Sequence, residues 1–253
     1  MPLIGIVTGM EHSGTTWLAD LIRGHPNINS GFECGVLLGA SPADFPQIHP
    51  FYEWMLKAKN PSHWAVTPDK MARVIAAPDW DTMYARIMES SPLFDAQTPF
   101  LLDKTPAYMP ILKDILKKVS APIIVIYKPI LYQYTSYKKR NISLADFVNR
   151  YAAYIGGFLE AYKHGPHRFK VILHEELVNN TQMVLQDIFR FLGVRLPEEG
   201  VLPDTIPTTP GPVYSDYNLE KARAAVNRIN DEERTVLLKL SQDDLMSKLS
   251  RGH

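Results

Sequence analysis

At 253 residues with 45% hydrophobic content, the chain is long enough for one large α/β domain with a sizeable core. Lysine plus arginine equals aspartate plus glutamate at 27 each, so no net field draws the molecule to nucleic acid or an anionic membrane, and any anion site must be local. The single cysteine, Cys34, excludes an internal disulfide framework and a four-cysteine zinc site, and points to a reducing compartment.

Leu3 to Thr8 is a compact apolar and β-branched run, predicted as a strand and followed by Gly9, a short loop and a helical pattern from Thr15 to Arg23. The opening run is too short and lacks the basic leader of a signal peptide. Nothing in the chain reaches the roughly 18–20 apolar residues of a membrane span. The expectation is therefore a soluble cytoplasmic protein, although a chain trimmed of an anchor would read the same.

From Asn27 to Pro99 strand signals are poor, which predicts loops and short helices over the carboxyl ends of the strands. Further strands are predicted at Phe100-Leu101-Leu102 ending at Asp103-Lys104, at Pro122 to Tyr127 ending at Lys128-Pro129, and at Phe169 to Leu173. Helical patterns at Ile111 to Lys118, Leu144 to Tyr162 and Met183 to Leu192 separate them. Pro197 to Pro212 carries five prolines and predicts an extended excursion, followed by a helical tail from Leu219 to Leu249. Parallel strands need long crossovers, so this alternation predicts an α/β fold. We expect a P-loop-like three-layer sandwich with a central parallel sheet flanked by helices. Residues 1–253 read as a single domain, with 1–194 as its core and 195–253 as excursion and tail.

Gly9-Met10-Glu11-His12-Ser13-Gly14-Thr15-Thr16 fits the G-x-x-x-x-G frame of a phosphate-binding loop, with Thr15 where a nucleotidase carries its lysine. Loop amides and the start of the following helix converge on one spot and favour a phosphate-like anion. Ser13, Thr15 and Thr16 add hydroxyl donors. The point charge for a triphosphate is gone, and no acidic metal partner is evident. On spacing alone, a glycine-containing turn without any ligand fits equally well.

Glu11-His12-Ser13-Gly14-Thr15-Thr16-Trp17 resembles the first loop of the sulfotransferases that use 3'-phosphoadenosine-5'-phosphosulfate (PAPS). The resemblance implies that Ser13, Gly14, Thr15 and Thr16 grip the 5'-phosphosulfate and that Trp17 stacks on adenine. It further implies that His12, where the family carries Lys or Arg, serves the leaving group. An adjacent dianion favours its charged form, with activity fading on the alkaline side.

Tyr127-Lys128-Pro129 followed by Ser136 is similar to the second family signature and implies that Lys128, in place of Arg, and Ser136 hold the 3'-phosphate. His174-Glu175-Glu176-Leu177-Val178, leading to Phe191-Leu192-Gly193-Val194, resembles a third segment, which we read as structural.

In the cytosolic branch a histidine removes the acceptor proton, but here Asp103-Lys104-Thr105-Pro106 has proline at that place. His25-Pro26-Asn27-Ile28 leading to Glu33 resembles the protein-tyrosine and heparan-type enzymes, which implies Glu33 as general base. Lys104 then contacts the transferring sulfonate and Asp103 orients it. The remaining histidines lack zinc spacing, and the expected site needs no metal.

These residues imply sulfuryl transfer from PAPS to a hydroxyl or amine, leaving 3'-phosphoadenosine-5'-phosphate (PAP). Two alternatives stay open: a degenerate fold that binds PAP as sensor or scaffold, and a P-loop nucleotide kinase. Phe32, Phe45, Phe51, Tyr52, Trp54, Trp64 and Trp80 suggest an apolar or aromatic acceptor, within a range of small-molecule, lipid, saccharide or peptide partners.

Overall fold

The computed structural model describes residues 2–57, 63–196 and 219–252; the proline-rich excursion expected over 197–212 lies outside them. Strands β1 (Leu3–Gly9), β2 (Ile28–Asn29), β3 (Phe100–Lys104), β4 (Ile123–Tyr127) and β5 (Phe169–Leu173) form one parallel sheet in the order β2-β3-β1-β4-β5. Central β1 sets Ile6 opposite Asp103 of β3 and Ile123 of β4.

Helices α1 (Thr15–Ile22), α2 (Phe51–Leu56), α3 (Pro68–Ile75), α4 (Trp80–Ser90), α5 (Leu112–Lys118), α6 (Ile130–Lys138) and α7 (Leu144–His164) lie between the strands. After β5 come α8 (His174–Asn179) and α9 (Thr181–Leu192), and the tail forms α10 (Leu219–Val226), α11 (Asp231–Leu240) and α12 (Asp243–Ser250).

Side chains alternate across the sheet and build two cores. Ile123 and Val125 join Tyr84 of α4, Ile115 of α5, Phe147 of α7 and tail residues Leu237 and Met246. Ile124 and Ile126 face the other way and join Leu18 and Leu21 of α1 with Leu185 and Phe189 of α9. Three layers result. Because β4 is buried on both faces, it reads as an unbroken apolar run, the usual sign of a covered parallel strand.

Local signals set the helix ends. Ser143 caps α7 by accepting from the Asp146 amide at 3.1 Å, and Asn230 and Glu233 make a reciprocal capping box on α11. The two-residue edge strand β2 escaped the sequence reading because so short a segment carries no period.

The chain leaves β1 through α1 toward β2, whereas β4 leads through α6 and α7 toward β5 on the opposite side. The carboxyl ends of β1 and β4 therefore flank the point where strand order reverses, the usual place of a ligand crevice in such sheets.

Candidate active site

The loop from Met10 to Gly14 fills that crevice. Gly14 takes φ 104°, a left-handed conformation that favours glycine, and a Cβ there would lie 2.9 Å from His174 Cδ2. At Gly9 a Cβ would meet the Ile126 carbonyl oxygen at 2.5 Å. The loop is thus drawn tight against β4, and helix α1 begins immediately after it.

Ser13 is 1% exposed, and its Oγ has no hydrogen-bond partner among the described residues. A buried hydroxyl left unpaired costs about 1–3 kcal/mol, so its presence here suits an incoming acceptor such as an anionic oxygen. Gln133 Oε1 is unpaired in the same small cleft, which Lys128 and Tyr127 also line. The Gln133 amide nitrogen donates to the Glu11 carbonyl at 2.5 Å and ties α6 to the loop.

His12 projects from the loop at φ 66°, its ring edge-on to Tyr137 at 5.4 Å. The side chain is largely open to solvent, yet its pKa is lowered to about 4, first by partial desolvation and then by the Arg140 charge, with Lys128 and Arg150 adding and Glu11 opposing. In the free protein His12 is therefore neutral near pH 7. An imidazolium at this position would therefore depend on a bound dianion, the state to which the expectation from the family resemblance refers.

Glu11 is a site feature that the sequence reading passed over. Its carboxylate accepts from the Tyr137 hydroxyl at 2.7 Å and from the Tyr154 hydroxyl, with Arg150 3.6 Å away. Two hydroxyl donors and a guanidinium thus surround the Glu11 carboxyl group in the loop between β1 and α1. The sequence signal was an acid beside three hydroxyl residues, but its partners lie more than a hundred residues away.

Lys128, at the end of β4, is 9% exposed and donates to Ser136 Oγ at 3.2 Å. Burial, followed by the Lys139 and Arg140 charges, lowers its pKa to about 8. Trp17 is partly buried, its ring 6.1 Å from that of His174. Thr15 is buried and Thr16 partly exposed at the start of α1. His174 itself is 4% exposed and held neutral, its pKa lowered to about 3 by burial and then by Lys128. In the third segment, His174 packs against Gly14.

On the other side of β1, Lys104 Nζ lies 3.2 Å from Glu33 Oε1 and 4.5 Å from the centre of the Phe32 ring. The Lys104 side chain is 2% exposed and the Glu33 side chain 20%. Burial pushes the lysine pKa down, while Glu33 and, more weakly, Asp20 and Asp103 pull it up.

Asp103 does not orient Lys104. Adjacent residues of a strand face opposite sides of the sheet, and Asp103 turns to the α4 layer, where it accepts from Tyr84 at 2.6 Å, Thr105 at 2.8 Å and Tyr108 at 2.9 Å. Burial raises its pKa despite these donors. Its role runs through Thr105, whose Oγ1 accepts from the amides of Cys34 at 3.1 Å and Gly35 at 3.0 Å. The loop bearing Glu33 is stitched in this way to the end of β3.

Of the aromatic residues expected in the cover, Phe45, Phe51 and Trp64 are core. Trp80 lies beneath Lys118, and Tyr52 packs on Phe45. Phe32 lies beside Lys104 and packs edge-on against Trp54, with ring centres 5.0 Å apart. Among the described residues no three His, Cys, Asp or Glu side chains gather as a metal site would, and no helix is long and apolar enough to cross a membrane.

Comparison with curated proteins gave no match. Among solved structures, the chain is similar to the sulfotransferase domain from the Synechococcus PCC 7002 olefin synthase at 17% identity, with 99% of this chain and 94% of that one covered and a TM-score of 0.61. It is also similar to sulfotransferase STF1 from Mycobacterium tuberculosis at 15% identity, covering 100% and 77%, with a TM-score of 0.51. Mouse sulfotransferase SULT7A1 complexed with PAP matches at 13% identity, covering 100% and 90%, with a TM-score of 0.50. At such identities the likeness is one of fold. The family model described as the sulfotransferase family matches residues 5–198, most of the chain. Sheet order and family match agree, and the chain belongs to the sulfotransferase family.

Proposed function

We propose that this protein transfers a sulfuryl group from PAPS to a hydroxyl or amine acceptor by in-line displacement, with Glu33 as general base. The observation that carries this reading is the Lys104–Glu33 pair, 3.2 Å apart at the strand end beside the anion loop. A carboxylate that takes a proton and a cation that meets the sulfonate are the two groups the reaction requires close together. The solved relative that carries PAP supports the choice of nucleotide.

PAPS supplies the activated sulfuryl group, and the acceptor oxygen or nitrogen displaces PAP from sulfur. Ser13, Gly14, Thr15 and Thr16 cradle the 5'-phosphosulfate, and the unpaired Ser13 hydroxyl gains an acceptor there. Trp17 offers a face to adenine. Lys128 and Ser136, 3.2 Å apart, hold the 3'-phosphate, with Arg140 adding charge nearby. His12 donates a hydrogen bond as a neutral ring to the departing phosphate. Glu33 takes the acceptor proton, Lys104 faces the sulfonate, and Phe32 and Trp54 border the acceptor with apolar surface.

Glu33→Gln tests this reading. Transfer of labelled sulfuryl from PAPS should disappear while PAP affinity by calorimetry stays within a few fold; retained turnover removes Glu33 from the mechanism. A second reading, a PAP-binding sensor without turnover, draws on the neutral His12 where the family carries a cation. Wild-type protein that binds PAP and yields no product with any acceptor class would establish it instead.

A further inference from the structure

The tail helices lie beyond the family match, which ends at residue 198, yet they reach the strand end proposed to hold the 3'-phosphate. Asp243, the first residue of α12, uses one carboxylate oxygen, Oδ1, to accept from the Tyr127 hydroxyl at 2.5 Å and from the Ile130 amide at 3.1 Å. These two donors bracket Lys128. The first amides of any helix need partners from outside it, and α6 begins after Pro129, which brings no capping side chain. Asp243 supplies the missing cap from more than a hundred residues away.

The same tail fastens the rest of α6. Glu233 of α11 accepts from the Tyr134 hydroxyl at 2.6 Å and from Lys138 Nζ at 2.8 and 2.7 Å. Tyr151 of α7 joins the network, its hydroxyl 2.8 Å from that of Tyr127 and accepting from the Gln242 amide at 3.2 Å. Leu237 and Met246 are fully buried in the main core, so the tail is fixed in place. Ser136 sits between the two fastened points of α6, and Lys128 between the two groups held by Asp243.

We propose that Asp243 is a positioning residue for the 3'-phosphate: through Tyr127 and the Ile130 amide it sets the backbone from which Lys128 and Ser136 meet that group. This inference rests on the proposed PAP site and deepens it. An acceptor oxygen at residue 243 is what the geometry needs, since both contacts are hydrogen bonds to one atom. Asparagine retains such an oxygen and alanine does not.

The test is calorimetry with PAP and with AMP, which lacks the 3'-phosphate, on wild type, Asp243→Ala, Asp243→Asn and Tyr127→Phe. Loss of two hydrogen bonds to a partly buried carboxylate predicts that Asp243→Ala weakens PAP binding about tenfold while AMP affinity stays within about twofold. Asp243→Asn should stay within about twofold of wild type for both ligands. Tyr127→Phe, which keeps the ring and loses one of the two bonds, should fall between them for PAP and serves if the alanine variant does not fold. Equal loss of PAP and AMP would make Asp243 merely structural, and unchanged PAP binding in Asp243→Ala would overturn the proposal alone. Wild type that binds neither ligand would overturn the PAP site itself and this inference with it.

Discussion

Lys104 and Glu33 face each other across 3.2 Å, one side chain almost wholly buried and the other a fifth exposed. Burial disfavours the ammonium, and the Glu33 charge is the largest influence restoring it. Lys104→Met should therefore remove the cation from the sulfonate without disturbing the anion loop. Losing one preorganised electrostatic group predicts a fall in turnover of roughly 10²- to 10³-fold. PAP affinity should remain within a few fold. Single-turnover transfer from labelled PAPS, beside calorimetry with PAP, checks both halves, and near-normal transfer would place the sulfonate elsewhere.

Thr105 holds the loop that presents Glu33. Its Oγ1 accepts from the Cys34 and Gly35 amides and donates to Asp103 Oδ1. Thr105→Val keeps the shape and strands these groups in a buried place, which predicts a stability loss of roughly 2–4 kcal/mol. Turnover should drop while PAP affinity holds, and Thr105→Ser should restore both stability and turnover. Thermal melts and kcat of the two variants decide it; a valine variant with normal kcat would show that Glu33 needs no such support.

Lys128 should give PAP binding its pH dependence. Its pKa in the free protein is pushed down to about 8 by burial and by Lys139 and Arg140. Below that pH the ammonium is present; above it the free protein loses the charge. A bound phosphate favours the ammonium and raises the pKa in the complex. PAP affinity should thus be flat from pH 7 to 7.5 and weaken as pH rises through 8, by up to about tenfold per unit. Lys128→Arg should stay flat to pH 9.5, because a guanidinium does not titrate there. Calorimetry across that range makes the comparison, and a Lys128→Met variant that keeps wild-type PAP affinity would exclude Lys128 from the phosphate site.

Much of this architecture was legible because the sheet is covered on both faces. β1, β3, β4 and β5 stand out as apolar runs, and each of the two predicted lysines falls at a strand end, Lys104 on β3 and Lys128 just after β4. Lys128 and Ser136, 8 residues apart, are implied together by the spacing of a family signature, whereas Glu33 and Lys104, 71 residues apart, are each implied by family resemblance. Other contacts have no local signature. Glu11 meets Tyr137 and Tyr154 only once α6 and α7 have packed, and Asp243 meets Tyr127 only through the tail. Asp103 was misread for a simpler reason: adjacency in sequence within a strand means opposite faces.

His12 illustrates how surroundings override a reference value. With its pKa lowered to about 4 in the free protein, His12 would need a bound anion to raise that value to about 7 before the ring is half cationic at neutral pH. Arg140, Lys128 and Arg150 already lower the value in the free protein, and their charges would oppose that rise. His12 should therefore remain a neutral donor in the complex, and any alkaline loss of binding belongs to Lys128. Proton uptake on binding PAP distinguishes the two. Calorimetry at pH 7 in buffers of different ionisation enthalpy should show wild type and His12→Gln differing by less than about 0.2 proton. A difference near one proton would restore the imidazolium and make His12 the titrating group.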